Sequence, residues 1–411
     1  MISKIIQGDC LEVLKTYPDN YFTSVITDPP YGLSFMGKKW DYEVPSIDIW
    51  KECLRVLKPG GTMLCFAGSR TQHRMAVNIE DAGFIIKDCL MYLFGSGFPK
   101  SLNVGKAVDK IQGNEREFVK TISIHDITSS GLVGKEYSKQ DVNVTKGTSD
   151  FEGYGTALKP AYESIIMCMK PNDGTYSNNA LKHGVAGINI DAGRIETDDK
   201  YSYPNGPKGN GFHGGIGRQP DGSRTKHVEI NHQGRFPSNI ILDEEAGQML
   251  DEQTGILKSG GGDRNSKGKT DLFNGFGDTG IKREFLASQG GASRFFYSAK
   301  ASKSERNAGC EGLEEKAQKI TNQYNMIREN GTMREVPKPR QNSHPTVKPI
   351  KLMEYLIKLV MPPKDGLLLD PFAGSGTTLV ACARLGYNGV GIEKEEEYSR
   401  IARARLGMET K

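Results

Sequence analysis

The chain has 411 residues, 36% of them hydrophobic and 25% charged, with a formal net charge of +4. That length suits one large domain with an insertion, or two domains. No apolar run approaches the ~18 residues of a membrane span. Met1 to Asp9 lacks the layout of a secretory leader and reads as a short strand meeting a turn. A cytoplasmic location is therefore expected. The cysteines stand singly at 10, 53, 65, 89, 168, 310 and 382, mostly in apolar runs. Buried reduced thiols and no metal site are expected. The charge permits nucleic-acid binding without arguing for it.

In chain order, Ser24-Val25-Ile26-Thr27 is a β-branched strand ending at Asp28. Ile47 to Leu57 carries apolar residues at helical spacing (Ile47, Trp50, Leu54, Leu57), and Lys58-Pro59-Gly60-Gly61 ends that helix. Thr62 to Ala67 is a buried strand, Thr71 to Ala82 a helix, and Phe84 to Asp88 and Leu90 to Phe94 two further strands. From about 100 to 340 the pattern changes. Residues 171–300 hold 23 of the 49 glycines, and helical periodicity is weak. One apolar strand, Tyr162 to Met169, interrupts this middle. The α/β pattern returns from about 344. Pro349 to Val360 is a helix, Gly366 to Asp370 a strand, Thr377 to Leu385 a helix, Asn388 to Ile392 a strand, and Glu395 to Leu406 a helix. The expected organisation is an α/β domain assembled from both termini. Its boundaries are residues 1–99, an insertion at 100–158, a rejoining strand at 159–170, an irregular region at 171–340, and a second half at 341–411.

Two motifs carry chemistry. The first is Asp28-Pro29-Pro30-Tyr31, directly after a strand. Its prolines fix φ and remove two N–H donors, leaving carbonyls as rigid acceptors. The Asp28 carboxylate and a proline carbonyl can each accept one hydrogen of a base amino group, and Tyr31 offers an aromatic face. The second motif is Asp370 to Thr378, in which Phe372-Ala373-Gly374-Ser375-Gly376-Thr377-Thr378 joins a strand to a helix. Gly374 and Gly376 let backbone N–H groups approach a ligand at a helix N-terminus. Glu393 ends the next strand, at the spacing where a carboxylate reaches ribose hydroxyls. The loop is neither a phosphate-cradling P-loop nor an intact dinucleotide fingerprint, since Leu379 stands where a third glycine belongs.

Together these motifs resemble those of the amino-group DNA methyltransferases. The catalytic motif precedes the cofactor motif across a long stretch, an order similar to the beta class. The resemblance implies a Rossmann-like S-adenosylmethionine-dependent fold, with a mostly parallel seven-stranded sheet and a large irregular target-recognition insertion. It implies methyl transfer to adenine N6 in double-stranded DNA by base flipping, within restriction–modification. Asp28, Pro29, Pro30 and Tyr31 would be catalytic. Phe372, Ala373, Gly374, Ser375, Gly376 and Thr377 would hold the methionyl part of the cofactor, Asp370 would also bind the cofactor, and Glu393 would hold the ribose. Asp9 and Cys10 would contact its adenine, and Lys348, within His344 to Pro349, would close over the methionyl end. Asp9 could equally cap the following helix, and His344 could be a solvated loop residue. The two motifs are expected from opposite ends of one sheet.

For DNA, Arg294-Phe295-Phe296-Tyr297 followed by Lys300, Lys303 and Arg306 interleaves basic and aromatic residues. A core strand with a charged outer face would read the same way. Lys38 and Lys39 could hold phosphate, or form a surface loop. DNA is the expected partner, no membrane is, and a homodimer is compatible. Cytosine N4 methylation rests on the same chemistry; Asp at the first motif position leans toward adenine. A nicotinamide-dependent oxidoreductase would leave Asp-Pro-Pro-Tyr unexplained. RNA or protein methylation and non-catalytic DNA binding are more distant alternatives.

Overall fold

The computed structural model describes residues 3–33, 41–97, 101–127, 137–197, 234–259, 262–264, 283–285, 288–299, 305, 307–315, 341–344 and 346–408. The chain divides into two compact units, Met1–Ile188 with Lys300–Lys411, and Asn189–Ala299. Lys38, Lys39, Lys300, Lys303 and Arg306 lie outside the described residues.

In the first unit the elements are β1 (Lys4–Gln7), α1 (Cys10–Lys15), β2 (Phe22–Thr27), α2 (Ile47–Val56), β3 (Leu57–Ala67), α3 (Gln72–Asp81), β4 (Ile85–Leu93), α4 (Val104–Gln112), β5 (Glu117–Ile127), β6 (Tyr137–Lys146), β7 (Tyr162–Met169), α5 (Tyr176–His183), α6 (Ile350–Val360), β8 (Leu367–Asp370), α7 (Thr377–Arg384), β9 (Asn388–Glu393) and α8 (Glu396–Arg405). Seven of the strands form one sheet in the order β1-β9-β8-β2-β3-β7-β4. The first five are mutually parallel. β7 runs antiparallel between β3 and β4. This is the α/β, Rossmann-like, mostly parallel sheet expected from the sequence.

All six residues of β2 are buried, as both faces of a parallel sheet carry helices. On one face Leu14, Phe22, Trp50, Met63, Met75 and Ile79 form the main core. On the other lies α6, in which nine of eleven residues are buried. Ser24 at the middle of β2 is satisfied there by donating to the Val360 carbonyl (2.7 Å).

Three local expectations need correction. Lys58-Pro59-Gly60-Gly61 does not separate helix from strand. β3 begins at Leu57 and absorbs the segment as an irregularity, because Phe22 pairs with Leu57 whereas Ser24 already pairs with Thr62. Gly60 accommodates it at φ 72°, and the buried Asn179 side chain donates to the Pro59 carbonyl (2.8 Å). Phe84 to Phe94 holds one strand rather than two; a register shift between Ile86 and Asp88 carries it past the apparent break. The third correction concerns the two motifs. They do not come from opposite ends of the sheet: β2 and β8 are neighbours, with Val25 opposite Leu369.

The insertion before β7 contains α4 and the β5–β6 hairpin, neither of which the sequence suggested. An ion-pair group of buried Asp109 with half-buried Arg116 and Glu152 ties its ends together. The second unit contains a parallel pair, Ile240–Asp243 with Tyr297–Ala299. It also holds the helix Glu244–Thr254, capped by Asp243, which accepts from the Ala246 N–H (2.6 Å). Two short antiparallel pairs complete it.

Candidate active site

Four neighbouring parallel strands, β1, β9, β8 and β2, each end in an acidic residue: Asp9 just past β1, then Glu393, Asp370 and Asp28. Carboxyl ends of parallel strands are where open α/β sheets bind ligands. Here they open into a cavity of about 1100 Å³ lined by all four. Its lining carries eight Asp and Glu residues against four Lys and Arg, a balance that favours a cationic ligand.

Asp28 begins the loop after β2. Its Oδ1 accepts from the Tyr31 hydroxyl (2.7 Å) and its Oδ2 pairs with Lys348 Nζ (3.1 Å). Burial, then the charges of Asp28 and Glu163, push the Tyr31 phenol well above its usual range, so it remains a donor. The rest of the loop is held from outside. Buried Asp41 accepts from the N–H groups of Tyr31 (2.6 Å), Gly32 (3.0 Å) and Leu33 (3.3 Å). The Thr71 hydroxyl donates to the Tyr31 carbonyl (2.6 Å). The Tyr31 ring packs on Gly68, where a Cβ would stand 3.0 Å from it.

Lys348 reaches this loop rather than the glycine turn. Besides Asp28 it pairs with Glu163 (2.8 Å) and donates to the Tyr31 hydroxyl (3.2 Å). It also lies 4.8 Å from the Phe66 ring centre. Burial pulls its pKa down, but the two carboxylates outweigh that and raise it, so it stays charged. Glu163 lies near the start of β7, opposite Tyr92. The sequence offered no sign of it, because only the antiparallel insertion of β7 beside β3 carries it to the site. Asp41 was missed for another reason: an isolated loop aspartate has no motif around it.

The second motif forms the expected turn. Gly374 and Gly376 have φ of 52° and 76°, left-handed conformations that favour glycine. A Cβ on Gly374 would meet His344 Nε2 at 2.8 Å, and one on Gly376 would meet Ala402 at 2.9 Å. His344 is thus part of the wall, edge-on to Tyr398 at 4.5 Å. Glu393 Oε2 accepts from the Gly374 N–H and Oε1 from the Glu395 N–H (both 2.8 Å). Burial raises its pKa. Ala373 N–H bonds to the Ile392 carbonyl (2.9 Å), and Phe372 packs toward Trp50. Buried Arg405 donates to the Ser375 carbonyl (2.8 Å) and to Thr377 Oγ1 (2.9 Å).

Asp370 joins the two motifs. Its Oδ1 accepts from Thr27 Oγ1 (2.8 Å) and the Phe372 N–H (3.1 Å). Burial pushes its pKa up to about 7 despite these donors. Asp9 caps α1 by accepting from Leu11 N–H (3.0 Å) and also meets Lys394 (3.1 Å), while still lining the cavity. Cys10 is buried, which raises its thiol to about 12. Among the described residues no group of three or more His, Cys, Asp and Glu is disposed to hold a metal ion. No described helix is long and apolar enough to cross a membrane.

In the second unit, Arg294 donates to the Gly290 (2.5 Å) and Gly291 (2.7 Å) carbonyls. Arg294 and Arg235 both stack on Phe295, at 4.4 and 4.8 Å, and Phe295 itself is exposed. Arg294 therefore braces the turn that presents this aromatic ring.

The family model described as DNA methylase, of the N6/N4 methyltransferase type, matches residues 22–404. Among curated relatives, the Type II methyltransferase M2.DpnII of Streptococcus pneumoniae is 50% identical over 66 residues, 16% of this chain and 24% of that protein. M.HindIII of Haemophilus influenzae is 47% identical over 66 residues, 16% of this chain and 21% of that protein. The chain thus spans about a quarter of the length of the curated relatives it matches. Among solved structures, the M1.HpyAVI–SAM complex aligns at 15% identity with a TM-score of 0.38, covering 99% of this chain and all of that one. The cytosine-N4-specific PvuII DNA methyltransferase aligns at 13% and 0.43, covering 98% and 86%. With the family match running from β2 to within α8, and both of its motifs opening into one cavity, the chain belongs to the N6/N4 DNA methylase family.

Proposed function

We propose that this protein transfers a methyl group from S-adenosylmethionine to the N6 amine of an adenine in double-stranded DNA, with the base rotated out of the helix. The observation that carries this reading is the convergence of Asp28 and the Gly374–Gly376 turn, from adjacent strands, on one acidic cavity. Such a cavity fits a ligand with a cationic sulfonium. Glu393 would hold ribose hydroxyls, residues 372–377 the methionyl portion, and the Asp9–Cys10 segment the adenine. When bound, S-adenosylmethionine supplies a methyl group made electrophilic by its sulfur.

The chain's own residues address the weak nucleophilicity of the amine. Its lone pair is delocalised into the ring, and hydrogen bonds from its two hydrogens to Asp28 and a proline carbonyl favour the pyramidal form. The nitrogen lone pair forms the new N–C bond as the S–C bond breaks, and the surplus amine proton passes to the Asp28 carboxylate. Positioning and electrostatics provide the acceleration. Asp at the first motif position supports adenine over cytosine. The second unit, with exposed Phe295 braced by two arginines, is the proposed target-recognition region. A role beside a restriction enzyme, in a bacterial, archaeal or phage-infected cytoplasm, goes with the Type II character of the relatives.

Expression in a methylation-free bacterial host, followed by modification-sensitive long-read sequencing, tests the reading. N6-methyladenine at a defined sequence is expected. N4-methylcytosine would transfer the assignment to the other base, and unmodified DNA with folded protein present would overturn it.

A further inference from the structure

Asp28 has two carboxylate oxygens, and both are engaged: Oδ1 by the Tyr31 hydroxyl (2.7 Å) and Oδ2 by Lys348 Nζ (3.1 Å). An ammonium presents three N–H donors, and Lys348 directs them at Asp28, Glu163 (2.8 Å) and the Tyr31 oxygen (3.2 Å). An incoming amino group needs an acceptor oxygen on Asp28, so it must compete with Lys348. A buried cation cannot simply lose its partner, because an uncompensated charge in the interior is strongly unfavourable. Glu163 is the one carboxylate besides Asp28 that pairs with Nζ among the described ion pairs.

We propose that Lys348 is a resident ammonium holding the place of the substrate amine on Asp28, and that Glu163 is the positioning residue that retains it when the amine arrives. The proposal rests on the methyl-transfer reading above. It accounts for three features together: a lysine directed at the catalytic loop, a carboxylate near the start of a largely apolar β7, and an ammonium enclosed beside the reacting atoms with its side chain only 11% exposed. It also carries an electrostatic consequence. The amine nitrogen becomes positive as the N–C bond forms, and a lysine shared only with Asp28 would oppose that charge. Paired to Glu163, it leaves the negative charge of Asp28 for the nitrogen and its departing proton.

The test uses the full chain with S-adenosylmethionine and DNA carrying the sequence mapped in the host experiment. Single-turnover transfer, cofactor affinity and thermal melting are measured for wild type, Glu163→Gln, Lys348→Met and the double variant. Glu163→Gln is expected to slow transfer about tenfold, the scale of one charged hydrogen bond, with cofactor affinity unchanged. The double variant is expected to transfer faster than Glu163→Gln alone, because the ammonium competing for Asp28 is gone. A merely structural role for Glu163 predicts no such rescue. Should Glu163→Gln fail to fold, Glu163→Asp, which withdraws the carboxylate by one methylene, is compared with its own Lys348→Met double in the same way. Wild-type rates in the Glu163 variant, or a double variant no faster than the single, overturn the proposal while the methyl-transfer reading stands. A folded wild type that methylates no DNA overturns both.

Discussion

Asp370 shows how opposing forces meet at one residue beneath the site. Hydroxyl and amide donors favour its ionised form, yet burial raises its pKa from 3.8 to about 7. A carboxyl with a raised folded pKa binds its proton more tightly in the native state. The stability it contributes is complete below 3.8 and is lost as pH rises through about 7. Asp370→Asn stays neutral and should lack that loss. Denaturation midpoints at about pH 5 and about pH 7.5 should therefore fall more in wild type than in the variant; parallel behaviour would contradict the assignment. At the same scale Glu163 and Lys348 differ in legibility. Lys348 stands in a recognisable segment, but its partners are set by tertiary structure alone. Glu163 is invisible without the fold, because β7 reaches the site only by entering antiparallel next to β3.

At the scale of elements, the site depends on loops held by side chains from elsewhere. The Asp28–Tyr31 loop ends in three N–H groups that buried Asp41 collects. Asp41→Ala would leave those donors unsatisfied, costing about 1–3 kcal/mol. It should also slow methyl transfer with little change in cofactor affinity, since Gly374 and Glu393 form their contacts independently of Asp41. Chemical denaturation and single-turnover kinetics would check this, and an unchanged transfer rate would remove Asp41 from loop positioning. The strands and helices around both motifs were legible because each is a short, strongly periodic run closed by Gly, Pro or Asp. The Leu57–Ala67 and Ile85–Leu93 strands were misjudged because their irregularities resemble terminators locally. Pairing with β2 and β7 keeps the first in the sheet, and pairing with β7 keeps the second. The β5–β6 hairpin was missed because its alternation of polar and apolar residues is confined to two short runs, Thr121 to His125 and Asp141 to Thr145, set in an otherwise polar stretch.

At the scale of the molecule, the motifs are 342 positions apart, from Asp28 to Asp370, and lie on adjacent strands. The parallel sheet is completed by chain from both termini, with β1 pairing to β9 and β2 to β8. Thr27 then meets Asp370 across that seam. The order Asp-Pro-Pro-Tyr motif, insertion, glycine-turn motif is visible in the sequence; the adjacency that brings the two together is not. The unit boundary at Asn189 was also hidden, because glycine-rich composition begins before it. The proposed function requires this one cavity to move a methyl group to a base amine. The most direct measurement incubates purified protein with unmodified DNA and methyl-labelled S-adenosylmethionine, then resolves the released nucleosides by mass spectrometry. Labelled N6-methyladenine is expected from wild type and none from Asp28→Ala, which should still bind the cofactor. Label appearing in no nucleoside, or appearing equally with Asp28→Ala, would contradict it.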